Sequence, residues 1–245
     1  MHPYLFHSGH LLLPTFGVLA AVGLMAALSL SLRTAALVGL SPDTLWNAGL
    51  FTLLSAFALS RLLLILANPQ SFFSYPVLVL MLPSLTPIGI LLTLIATGIY
   101  LRLRKVPLFD TLDACAPCAT LVWAFLALGH LAEGTDAGLP TTLPWGMRIP
   151  PDRTPLHPVA LYAAIAAAVV TVILLRQLPR RRHPGDIIAL ALAAAGTVQF
   201  LLTFFRQPYP FTGILDPIQW IALSMILIAG LILLLQPRKL VSHAL

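Results

Sequence analysis

Long apolar runs separated by short polar segments extend along the whole sequence. Seven runs are long enough to cross a hydrocarbon core of about 30 Å as helices. They lie at residues 11–31, 47–67, 76–101, 112–131, 158–176, 186–205 and 214–236. Because a lipid-exposed sheet would leave backbone hydrogen bonds unmade, the pattern predicts an all-α integral membrane protein, a bundle of about seven transmembrane helices forming one domain over residues 1–245.

Two further expectations concern the start of the first run and the prolines within the third. The first twelve residues contain neither Lys nor Arg, so we expect the first run to be a retained span and not a cleaved signal. The third run contains Pro83 and Pro87. Prolines within a span predict a break in the helix at a point where protein or water satisfies the freed backbone groups.

Composition agrees with a membrane location. Of 245 residues, 59% are hydrophobic and 9% are charged, whereas a soluble domain carries about 25% charged residues. The net charge of +6 would suit a nucleic-acid partner. The charges lie at the ends of apolar runs and not along one face, so we expect no binding to nucleic acid.

The basic residues predict an orientation, because cytoplasmic loops carry an excess of Lys and Arg. Ten lie in the first, third and fifth loops and the C-terminal tail: Arg33, Arg102, Arg104, Lys105, Arg176, Arg180, Arg181, Arg182, Arg238 and Lys239. Three others outside the spans are Arg148, Arg153 and Arg206. Ten against three predicts an outer N-terminus and a cytoplasmic C-terminus. For Arg180 to Arg182 we predict only this topological role, in contact with anionic headgroups.

Arg61 is the one basic residue inside a predicted span. A charge at that depth is costly unless it reaches a cavity or a partner, which favours a functional role. The alternative is a side chain that snorkels to the headgroups, since Asn68 and Pro69 end the span soon afterwards.

The longest polar segment is an outer loop at residues 132–157, just after the fourth span. His130 and Glu133 are three residues apart at its start, so one helix face can present both. A histidine held by a carboxylate is a candidate general base, and a hydrogen-bonded helix end without chemistry is the alternative. Gly134 and Gly138 allow sharp turns or a close approach to a ligand. Since no second pair of this kind exists, we expect no metal and no cofactor.

Three further features lie near helix ends. His157 precedes Pro158 at the start of the fifth span, and Tyr162 follows one turn later. Arg206 ends the sixth span within an aromatic segment, where an interfacial anchor is the simple interpretation. Cys115 and Cys118 form a C-x-x-C pair on the fourth span, for which helix packing is favoured over redox chemistry.

These segments together resemble the prolipoprotein diacylglyceryl transferase family in order and spacing over nearly the whole chain. The similar segments are Arg61 with Asn68–Phe72, Asp113 with Ala116-Pro117, Gly129–Gly138, Pro144-Trp145-Gly146, His157-Pro158 with Leu161-Tyr162, and Phe204–Pro208. The family also has seven spans and an outer N-terminus. The resemblance therefore implies a multi-pass protein of the bacterial plasma (inner) membrane.

The chain departs from the family pattern at several polar positions. Where the family has two essential arginines, this chain has Ala127 and Gln199. The two asparagine positions of the family signature hold His130 and Glu133, and the acidic position holds Thr135. A family histidine falls near Pro87, and a family tyrosine falls at Phe16. The scaffold, Arg61, His157, Tyr162 and Arg206 remain.

The resemblance implies transfer of a diacylglyceryl group from phosphatidylglycerol to the cysteine thiol of a prolipoprotein signal peptide, among membrane lipids. On this hypothesis His130 and Glu133 are catalytic, and Arg61 and Arg206 bind the phosphate. Gly134 and Gly138 shape the loop over the headgroup, while His157 and Tyr162 support the wall of the substrate site. The alternatives are a lipid-binding relative without the reaction, a transferase with another acceptor, and a thiol redox protein.

Overall fold

The computed structural model describes residues 4–8, 11–75, 86–148, 154–207 and 214–235. Its helices are α1 (Thr15–Leu37), α2 (Pro42–Ala67), α3 (Pro69–Ser74), α4 (Pro87–Leu103), α5 (Leu108–Glu133), α6 (Val159–Gln177), α7 (Asp186–Thr203) and α8 (Pro217–Leu235). Two short antiparallel pairs of strands accompany them, β1 (Tyr4–Ser8) with β2 (Leu11–Pro14) and β3 (Met147–Arg148) with β4 (Pro155–Leu156).

Within the described residues, every predicted span overlaps one apolar helix. Six of these helices are long and apolar enough to cross a membrane, and α4 is a shorter apolar helix of 17 residues. The prediction of an all-α, multi-pass membrane protein is therefore confirmed. The number of crossings, the orientation and the single domain stay predictions.

Two helices begin later in the sequence than the predicted spans, and each begins next to a proline. Residues 11–14 belong to β2, and α1 begins only at Thr15, after the extended Pro14. Pro83 lies outside the described residues. Pro87 begins α4 after an extended Thr86, whose side chain accepts the Gly89 N–H at 3.1 Å. A proline suits this first position because its missing N–H would have no partner there.

Helix α5 lies at the centre of the bundle and packs against α1, α6 and α7. Small residues make these contacts close, as is usual between membrane helices. A Cβ on Gly23 of α1 would meet Phe125 at 2.6 Å, and a Cβ on Gly129 would meet Phe16 at 2.7 Å. The position of α5 thus brings residues from distant parts of the chain around one helix.

The two cysteines lie where α5 faces α1. Cys118 is buried with its Sγ 3.8 Å from Thr34 Oγ1, and Cys115 is half-buried. Both thiols are free. This environment agrees with the packing role.

A buried carboxylate joins α5 to the start of α7. Asp113 is fully buried and accepts the backbone N–H groups of Gly185, Ile187 and Ile188 at 2.8, 3.1 and 2.9 Å. A negative charge is favourable at this place because the first N–H groups of a helix have no partner within it.

Arg181 completes this contact, which corrects the prediction of a purely topological role. Its guanidinium donates to Asp113 at 2.9 Å, to Asp110 at 2.6 Å and to the Val38 carbonyl at 3.2 Å. Burial opposes the charge, but the bonds to the two carboxylates outweigh it and raise the pKa of Arg181. Arg181 therefore links the loop before α7 to α5 and to the end of α1.

Candidate functional site

A cavity of about 510 Å³ lies between α5, α7 and α8. Most of its wall is apolar: Ala116, Ala119 and Trp123 from α5, Ile188, Ala191, Leu192 and Ala195 from α7, and Ile218, Ile221, Ala222 and Met225 from α8. Its polar lining includes Thr120, Gln199 and Arg206. The size lies within the range of small-molecule sites, about 300–1,000 Å³, and the lining suits an apolar chain with a polar end.

Two buried polar atoms in this lining lack a partner. Arg206 Nε and Gln199 Oε1 form no hydrogen bond within the described part of the chain. An unsatisfied buried polar atom costs about 1–3 kcal/mol. Both residues line the cavity, although these two atoms are themselves buried.

Arg206 is held in place by the loop between α5 and α6. Its Nη2 donates to Asp136 Oδ2 at 3.0 Å, while Leu139 N–H donates to the Phe205 carbonyl at 2.8 Å. Asp136 adopts a left-handed backbone with φ +61°, which is unusual for a residue other than glycine. The ion pair thus fixes the side chain of Arg206, which lines the cavity.

Gly138 brings the loop close to the end of α7. A Cβ there would collide with the Phe205 carbonyl and would meet Val159 Cγ2 at 2.7 Å and His157 Cβ at 2.8 Å. The predicted close approach at Gly138 is thus present, although it is to other parts of the protein.

We expect Gly138→Ala to lower the free energy of unfolding by about 1–3 kcal/mol, the usual cost of forcing extra volume into a packed site. The loop must move away from Phe205, so lipid affinity should fall as well. Thermal unfolding and lipid binding measure the two effects. Gly98→Ala is the matched control, since a Cβ on Gly98 in α4 meets nothing within 4 Å. Equal stability of the two variants would contradict the prediction.

Gly134 ends α5 in a left-handed conformation with φ +77°. This turn brings Thr135 back to the helix end, where its Oγ1 lies 2.8 Å from His130 Nδ1. The expected orientation of His130 by Glu133 is therefore corrected: among the described residues, the hydrogen-bond partner of His130 is Thr135. His130 also packs against the Phe16 ring at 4.9 Å.

His157 and Tyr162 form a small polar group beside Arg206. Tyr162 Oη accepts the Trp145 Nε1–H at 2.9 Å and lies 3.3 Å from His157 Nδ1. The His157 ring packs against Phe205 at 5.2 Å. His157 and Tyr162 thus pack against Phe205, the residue before Arg206, and their role in supporting the wall of the substrate site stays a prediction.

Arg61 lies elsewhere in the fold. Its helix, α2, packs mainly against α4 and α1, and its guanidinium lies 5.1 Å from the centre of the Phe57 ring. The described lining of the large cavity contains Arg206 and not Arg61. The structure thus does not bring the two candidate phosphate ligands into one cavity.

Three residues that the sequence did not predict for the site contact predicted site residues or line the cavity. Asp136 pairs with Arg206, Thr135 pairs with His130, and Gln199 lines the cavity. Only Thr135 had a local signal, because a glycine after a helix commonly turns the chain back towards the last turn.

The comparisons with known proteins agree on one family. A family model described as prolipoprotein diacylglyceryl transferase matches residues 3–235. A phosphatidylglycerol–prolipoprotein diacylglyceryl transferase of Geobacter sulfurreducens is 29% identical over 87% of this chain and 85% of its own.

Two further relatives carry the same name. That of Cupriavidus metallidurans is 32% identical over 62% of this chain, and that of Cupriavidus pinatubonensis is 34% identical over 57%. These two matches span 58% and 53% of the relatives' own lengths. Because the family model extends over nearly the whole sequence, the chain belongs to the prolipoprotein diacylglyceryl transferase family.

Proposed function

We propose that the chain transfers a diacylglyceryl group from phosphatidylglycerol to the cysteine thiol of a prolipoprotein signal segment. Membership of the family and the names of its relatives support this proposal. The structural observation that carries it is the apolar cavity with Arg206 in its lining. As a member of this family, the protein is a multi-pass protein of the bacterial inner membrane.

In this reaction the sulfur attacks the glyceryl carbon that bears the phosphate ester. A carbon–sulfur bond forms, the carbon–oxygen bond breaks, and its electron pair leaves on the oxygen of glycerol phosphate. The thiol proton passes to a base, since the thiolate is the effective nucleophile. The protein must therefore hold the acyl chains, stabilise the leaving phosphate and accept one proton.

The cavity and Arg206 meet the first two needs. Apolar walls from three helices suit acyl chains, and the Arg206 side chain lines the same cavity, where its guanidinium can bind the phosphate. A guanidinium stabilises a leaving phosphate strongly in a site that excludes water. Arg61 lies outside this cavity, so the proposal assigns the phosphate to Arg206 alone.

His130 is the proposed base. Thr135 Oγ1 lies within hydrogen-bond distance of the His130 carbonyl, at 3.4 Å, as well as of His130 Nδ1. A hydroxyl has one proton, so donation to the carbonyl makes Oγ1 accept from Nδ1–H and leaves Nε2 free to take a proton. The cavity lining nearest to His130 along α5 is Trp123. Trp123 is seven residues earlier on the same helix face, so it lies about 10 Å along the helix from His130.

We expect Thr135→Val to lower kcat about tenfold, because the hydrogen bond that fixes the ring and its tautomer is lost. Glu133→Gln is the matched control and should keep nearly the wild-type rate. Initial rates of label transfer at saturating lipid measure both. A larger loss in Glu133→Gln than in Thr135→Val would show that the carboxylate orients His130 after all.

A transfer assay tests the function directly. The protein in nanodiscs is mixed with phosphatidylglycerol labelled in its acyl chains and a lipoprotein signal peptide that contains its cysteine. We expect label on the peptide, and equal transfer by the Cys115→Ser/Cys118→Ser variant. Binding of the lipid without transfer would identify a lipid-binding relative, and loss of function in the double serine variant would favour a thiol redox protein.

A further inference from the structure

A second, smaller cavity of about 130 Å³ adjoins the large one. Arg206 and Ile218 line both cavities, so Arg206 lies where they meet. The remaining lining of the small cavity is mostly polar and comes from Asp136, Ala137, Thr203, Gln207 and Asp216. A ligand whose phosphate contacts Arg206 can therefore have its acyl chains on one side and a small polar group on the other.

The small cavity is rich in hydrogen-bond acceptors. Asp136 uses Oδ2 for Arg206, and Asp216 uses Oδ1 for the N–H of Ile218 at the start of α8. Each of these bonds occupies one oxygen, whereas an ionised carboxylate has about four acceptor positions. The two carboxylates thus retain acceptor capacity next to the Arg206 guanidinium.

Both carboxylate charges already have compensation. Asp136 forms the ion pair with Arg206 at 3.0 Å. Asp216 caps α8, whose first N–H groups carry partial positive charge. The cavity therefore favours neutral hydroxyl donors over a further cation.

We propose that the small cavity binds the terminal glycerol of the donor headgroup, with its two hydroxyls donating to Asp136 and Asp216. Carboxylates recognise the hydroxyls of ribose in a comparable way. The inference rests on the proposed function, because it takes the phosphate at Arg206 to be that of phosphatidylglycerol. The same cavity then holds the glycerol part of the leaving group when the carbon–oxygen bond breaks.

Equilibrium binding in nanodiscs tests the proposal without requiring turnover. Phosphatidylglycerol is compared with phosphatidylpropanol, which keeps the phosphate and lacks both hydroxyls, and with phosphatidylethanolamine. Hydrogen bonds to charged groups predict that the wild type binds phosphatidylglycerol roughly tenfold to a hundredfold more tightly than phosphatidylpropanol.

The Asp216→Ser variant should reduce this preference about tenfold, since the second carboxylate oxygen is lost. Affinity for phosphatidylpropanol should not change, because serine caps a helix about as well as aspartate. Asp43→Ser is the matched control: Asp43 is an exposed acid in the first turn of α2, outside both cavities. It should leave the preference unchanged.

Equal wild-type affinity for phosphatidylglycerol and phosphatidylpropanol would overturn the proposal, and that measurement needs no variant. So would an undiminished preference in folded Asp216→Ser. Tighter binding of phosphatidylethanolamine would assign the cavity to an ammonium group and also overturn it. Headgroup preference without transfer would reject only the transferase function, whereas transfer without preference would reject only the glycerol site.

Discussion

Replacing Arg206 with alanine is expected to lower the rate of diacylglyceryl transfer about a hundredfold to a thousandfold. This is the usual effect of removing one donor that stabilises developing negative charge. Arg206 lines the cavity, and its Nη2 is held by Asp136 at 3.0 Å. Because the donor is already oriented, its loss should appear in kcat/KM for the transfer assay with phosphatidylglycerol.

Two further variants separate this role from that of an interfacial anchor. Arg206→Lys keeps the charge but replaces the planar fork with a single ammonium, so most of the loss should remain. Arg148→Ala removes an exposed arginine from the loop between α5 and α6 and should leave the rate nearly unchanged. Full activity of Arg206→Lys would contradict a role for the planar guanidinium. Full activity of Arg206→Ala would leave the interfacial anchor as the only role of Arg206.

The second large effect concerns stability. We expect Asp113→Ala to lower the free energy of unfolding by about 3–5 kcal/mol, as is found when one partner of a buried ion pair is removed. The change leaves Arg181 with Asp110 and the Val38 carbonyl, and it leaves three N–H groups at the start of α7 without their acceptor. Unfolding of the purified protein in detergent, followed by helix content, measures the loss.

Arg182→Ala is the matched control for this prediction. Arg182 is exposed, and only its backbone N–H bonds to Asp186. Removing its side chain should change stability by no more than about 0.5 kcal/mol. If Asp113→Ala is as stable as Arg182→Ala, the buried contact contributes little to folding.

The helices could be predicted because crossing a bilayer demands long apolar runs, which a single sequence displays directly. The role of Arg181 could not be predicted in the same way. Its partner Asp113 precedes it by 68 residues, and only the packing of α5 against the loop before α7 brings them together. Charge along the chain predicts on which side of a membrane a loop lies and does not reveal its tertiary contacts.

In the candidate site, too, some features could be predicted from the sequence and others could not. A close approach at Gly138 could be anticipated from its residue type, whereas Gln199 could not be placed on a cavity. Its helix, α7, is apolar around its whole circumference, so sequence periodicity distinguishes no face. Asp136 was missed because a left-handed aspartate has no sequence signal as strong as that of glycine.

Helix α8 closes one side of the large cavity and packs mainly against α7, while the opposite wall belongs to α5. Less protein therefore separates the cavity from surrounding lipid between α5 and α8 than between α7 and α8. A donor that enters there comes from within the plane of the membrane. For a transferase of this build, the relevant substrate concentration is the mole fraction of phosphatidylglycerol among the surrounding lipids, so inert detergent should slow the reaction by surface dilution.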